Sequence, residues 1–197
     1  MKKVLSVWML IVRSSIYKVL LILGILVGFQ MGAFALLTFM MPDQQYYGWT
    51  IKVSIPMFLC AVLAMLEVLT RVLTSRKGKM VYTLQRLSIS EKEIFLLQAS
   101  VNWMMFVLLL LVQAAVLLGI TAVYTYLQTG VNTGMSVLVT AQWNPLLRVL
   151  LPYGDWLATL WIVLMPLALG VVAAALAFQF RNDHREVVGS AGFWGES

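Results

Sequence analysis

Charge is scarce in this chain. Only 11% of its 197 residues are Asp, Glu, Lys or Arg, against about 25% in an ordinary soluble domain. There is one cysteine, Cys60, and one histidine, His184, which excludes an internal disulfide and a Cys/His metal cluster. Cys60 lies inside an apolar run and reads as a small core residue. No Gly-Lys-Ser/Thr loop is present to cradle a phosphate, so the familiar nucleotide-hydrolysing site is missing. Glu67 is the one acid inside an apolar run. The clustered Asp, Glu and His that acid–base or metal chemistry needs are lacking. These absences argue against an enzyme and imply no cofactor.

What the chain has instead is apolar length. Hydrophobic residues make up 61%, and the mean hydropathy is +0.90. Four runs, about 19–41, 51–73, 94–127 and 156–180, are long enough to cross roughly 30 Å of hydrocarbon, which takes about 20 helical residues. The expected fold class is all-α: a polytopic helical membrane protein, residues 1–197 forming a single transmembrane domain. Residues 1–18 place Val4, Trp8, Ile11 and Val12 near one face, the pattern of an amphipathic helix lying in the interface. The basic start and Ala33-Phe34-Ala35 mimic a secretory signal. The apolar run there is longer than a signal core, so a retained helix is expected.

The net charge of +6 could suggest nucleic acid, but the basic residues stand at the ends of apolar runs. That placement writes membrane topology, with anionic lipid headgroups as counter-charge. With both termini cytoplasmic, every Lys and Arg except Lys52 and Arg148 lies on the inner side, which supports four spans in a cell membrane of the bacterial inner-membrane kind. Residues 131–155 then lie outside. Within them 138–151 is apolar but short and broken by Gln142, Asn144, Pro145 and Arg148, so an interfacial or re-entrant element is expected. Trp143, Tyr153 and Trp156 suit the headgroup boundary.

The cytoplasmic loop 74–93 is the well-charged stretch between long apolar runs. Ser90 and Glu93 make a capping box, and Ile89 can staple against Ile94, so a helix restarts there after the turn Ser88-Ile89-Ser90. Glu67 precedes Arg71 by four residues, the favourable order for a helical ion pair. In the third run Gln98, Asn102, Gln113, Tyr124 and Gln128 share one face. Such a stripe avoids lipid, serving interhelical hydrogen bonds or a translocation or subunit seam, with Glu67 as a further candidate. Small residues repeat at Gly24, Gly28, Gly32 and Ala35, and again from Pro166 through Gly170 and Ala174 to Ala177, implying close approach of helices within the chain or between subunits.

An amphipathic N-terminal helix, two spans, a short charged helical loop and a long third span follow in order. With the stretch Tyr82-Thr83-Leu84-Gln85-Arg86-Leu87-Ser88-Ile89-Ser90-Glu91-Lys92-Glu93-Ile94-Phe95, this order resembles the permease subunits of exporter-class ATP-binding-cassette transporters. The resemblance covers about residues 1–127. It implies that the loop is a coupling helix docking on a separate ATPase subunit through Thr83, Leu84, Arg86, Leu87, Ser88, Ile89, Ser90, Glu91, Lys92 and Glu93. It further implies a second permease chain, the same or different, and export by alternating access. The family usually carries six spans where four are counted here. The other reading of the residues is a non-transporting accessory, immunity or scaffold subunit that binds another membrane protein.

Overall fold

The computed structural model describes residues 2–40, 50–71, 90–129, 134–152 and 154–193. Their regular elements are all helical: α1 (Lys2–Met40), a π-helical turn (Thr50–Ser54) leading into α2 (Ile55–Arg71), α3 (Glu91–Thr129), α4 (Gly134–Gln142), α5 (Pro145–Leu150) and α6 (Trp156–Phe193). Four stretches are long and apolar enough to cross a membrane: Ile11–Phe39, Lys52–Arg71, Glu91–Leu127 and Trp156–Gln179. The chain is an all-α, multi-pass membrane protein.

The expected boundary near Lys18 is displaced. The residues expected to form a separate interfacial helix are the first part of α1 itself, and the helix runs unbroken through Arg13 and Lys18. Nothing in it stops a helix. It holds no proline, and the Ser14 and Ser15 hydroxyls donate back to the Ile11 carbonyl at 2.8 and 3.0 Å. At 1.5 Å per residue α1 is about 58 Å long, so roughly half of it exceeds the hydrocarbon thickness. At its far end the helical backbone of α6 reaches Phe193.

α3 is the central post. It packs most extensively on α6 and also touches α1, α2, α4 and α5. The reason is in its sequence. Ile94, Gln98, Val101, Met105, Leu109, Gln113, Leu117, Ile120 and Thr125 recur at three- to five-residue spacing, and all are buried, forming one continuous stripe. The main core joins that stripe to Ile11, Val19, Leu23 and Leu26 of α1, to Phe58, Ala61, Met65 and Leu69 of α2, and to Ala173 and Ala177 of α6. Phe95 and Phe178 meet edge-to-face, ring centroids 5.6 Å apart, pinning the start of α3 to α6.

A second, smaller core closes the opposite end, where Ala141 and Leu147 pack on Leu117 and Ile120. The helices α4 and α5 have 9 and 6 residues, too short for a span, as expected of the interrupted 138–151 stretch. Asn144 separates them and caps α5: its Oδ1 accepts from the Leu146 and Leu147 amides at 3.0 and 3.2 Å, with Pro145 at the first helical position. Gly154 then turns the chain at φ +79°, a left-handed conformation that glycine adopts without strain, and Asp155 caps α6 through Leu157 and Ala158.

Candidate functional site

Polar side chains inside an apolar bundle mark where helices are tied or where something passes, because lipid cannot satisfy them. Five of the ten buried polar side chains among the described residues lie on α3: Gln98, Asn102, Gln113, Thr121 and Thr125. Gln113 stands at the middle. Its Nε2 donates to Gln30 Oε1 of α1 at 3.3 Å and to Ser54 Oγ of the π-helical turn at 3.3 Å. Its Oε1 accepts from Gln30 Nε2 at 3.0 Å. All three residues are completely buried, so one amide fastens three segments.

The second knot lies about three turns nearer the start of α3. Gln98 Nε2 donates to Asn102 Oδ1 at 3.0 Å, and Asn102 Nδ2 donates to the Gly170 carbonyl of α6 at 3.3 Å. Gln98 Oε1 is buried and has no hydrogen-bond partner among the described residues. An unpaired buried acceptor costs about 1–3 kcal/mol, so this knot is incomplete in a way the Gln113 knot is not.

Backbone approach at Gly170 explains how Asn102 reaches it. A β-carbon there would stand 2.8 Å from the Trp103 amide nitrogen, 3.0 Å from its α-carbon and 3.2 Å from the Ala99 carbonyl oxygen. Pro166, Gly170, Ala173, Ala174 and Ala177 are all buried, so this small-residue face is a seam within the chain. The stripe on α1 is different. Gly24, Gly28 and Gly32 are exposed, and β-carbons added there would meet nothing within 4 Å.

Of the residues singled out in the sequence, Gln98, Asn102 and Gln113 line the interior of α3, and Tyr124 is half-buried. Nothing is described of the Gln128 side chain. Glu67 stands apart: it is exposed and bridges Arg71 at 2.6 Å. Gln30 and Ser54 escaped the sequence reading. The signal for Gln30 was its position as an amide deep in an apolar run, which must find a partner; nothing in the sequence singled out Ser54.

At the loop end of α3 the capping box forms. The Ser90 amide donates to Glu93 Oε2 at 3.2 Å, and the Glu93 amide donates to Ser90 Oγ at 3.3 Å, satisfying two otherwise orphaned donors. Glu91, Lys92 and Glu93 are exposed beside it. The remaining docking candidates, Thr83, Leu84, Arg86, Leu87, Ser88 and Ile89, lie outside the described residues.

Among the described residues no group of three or more His, Cys, Asp or Glu side chains is placed to hold a metal ion. Compared with known proteins, the chain matches no family, and no curated protein or solved structure is similar to it.

Proposed function

We propose that the chain is the membrane-spanning subunit of an ATP-driven exporter, worked by a separate ATPase that docks on residues 83–93. The observation that carries this reading is the start of α3. A reciprocal cap fixes the helix end at Ser90 and Glu93, leaving Glu91 and Lys92 exposed on a rigid post. That post runs without a break to Thr129, so a push at its foot would be delivered along the whole bundle. The basic residues preceding it favour the cytoplasmic side for this end; both termini would lie there too, with ATP hydrolysis left to the partner. Alternating access would require the Gln113 and Gln98 knots to open, making them the seam that a transported substrate or a second permease chain parts.

The second reading, a non-transporting accessory, immunity or scaffold subunit, draws on two observations. The polar stripe of α3 is buried within the chain, and the glycine face of α1 meets no other helix among the described residues.

Affinity purification from the native membrane separates the two. On the exporter reading an ATPase co-purifies and is lost on reversing charge with Arg86→Glu and Glu91→Lys, while the chain stays inserted. Recovery of another membrane protein without an ATPase, or ATPase stimulation indifferent to both reversals, would sink the docking proposal.

A further inference from the structure

Between α5 and the first half of α6 opens a groove of about 750 Å³, within the range of sites that hold small molecules. One wall is apolar, with Trp161, Met165 and Leu169 along α6, while Arg148 and Asp155 line its loop end. The two charges share the groove without bridging one another. Arg148 also borders the adjoining hollow of about 590 Å³ under Gln142 and Trp143. Asp155 spends a single oxygen, Oδ1, on capping α6.

We propose that this groove binds one phospholipid whose headgroup carries both a phosphate and a primary ammonium. The phosphate sits on the Arg148 guanidinium, the ammonium on the Asp155 carboxylate, and an acyl chain runs along Trp161, Met165 and Leu169. Three features fit this occupant. Two opposite, unbridged charges complement a zwitterion better than they complement an anion, which Asp155 would repel. From Asp155 to Leu169 the helix rises about 21 Å, half of the roughly 40–45 Å spanned by hydrocarbon core and headgroup regions together, which is the length of one lipid in one leaflet. Trp143, Trp156 and Trp161 are exposed at this end, where indoles favour the headgroup boundary. The site goes beyond the exporter reading and does not rest on it.

The test is native mass spectrometry of the delipidated chain in detergent, titrated with phosphatidylethanolamine, phosphatidylcholine and phosphatidylglycerol of matched chains. Phosphatidylethanolamine should bind about twofold to fivefold more tightly than the others, the scale set by partly solvated ion pairs. Asp155→Asn keeps an equally good helix cap but should erase that preference, and Arg148→Gln should weaken all three lipids together. Unchanged unfolding temperatures would show that both variants stay folded. Equal binding of the three lipids by the unaltered chain would overturn the proposal in favour of ordinary annular contact. Tighter binding of phosphatidylglycerol would overturn it in favour of an anion site on Arg148 alone.

Discussion

Gln30 and Gln113 face one another as a closed amide pair, each donating to the other's oxygen, at 3.0 and 3.3 Å, with neither exposed to solvent. The pair joins the first span to the third, which are 83 residues apart in the chain. The second Gln113 proton goes to Ser54, so that this amide has no unused donor.

Replacing Gln113 with Leu strands Gln30 in the bundle. The expected loss is about 1–2 kcal/mol, between the mean worth of an interhelical bond in membrane and the cost of an unsatisfied buried amide. Adding Gln30→Leu should recover part of it, because no amide is then left alone. Denaturant unfolding in mixed micelles reads the double-mutant cycle; strictly additive losses would contradict a coupled pair.

Gly170→Ala drives a methyl group against backbone, which cannot move aside as a flexible side chain would. Such overpacking costs about 1–3 kcal/mol. Gly28→Ala, with nothing near its added β-carbon, should be neutral or slightly stabilising in the isolated chain, by up to about 1 kcal/mol from the better helix former. Thermal unfolding in detergent compares them, and equal behaviour of the two variants would refute the seam at Gly170.

Ser90→Ala removes one half of the capping box and should cost about 1 kcal/mol, confined to the first turn of α3. Amide exchange should quicken around Glu93 and Ile94 while Phe106 and Gln113 remain protected. Uniform acceleration along α3 would mean that the cap supports the whole helix.

Lys92 and Trp143 are exposed near opposite ends of α3. In a Cys60→Ala background, Lys92→Cys and Trp143→Cys should therefore react with an impermeant thiol reagent from opposite faces of the membrane, Lys92→Cys from the cytoplasmic face. Labelling of both from one face would overturn the topology.

The spans were legible because apolar length is a property of the sequence alone; three of the four match their expected limits within about three residues, the scatter usual at helix ends. The start of α1 was not, since amphipathic periodicity over residues 1–18 describes a helix equally well whether it lies flat or continues into a span. Spacing also could not tell Gly28 from Gly170. Both belong to stripes of small residues four apart, and only the fold decides which stripe meets another helix. The same holds for the polar stripe: periodicity put Gln98, Asn102 and Gln113 on one face, while their partners Gln30, Ser54 and the Gly170 carbonyl depend on how three other segments lie against it.

The closeness of α3 to α6 has a consequence for how this chain can change over generations. What a larger residue at 170 would strike is the Trp103 backbone, which every amino acid at 103 possesses in nearly the same place. Substituting Trp103 therefore makes no room, and no second-site exchange there compensates a loss of Gly170. Among descendants of this sequence, position 103 is free to drift while 170 stays glycine, and this close helix contact would leave no trace as correlated substitution.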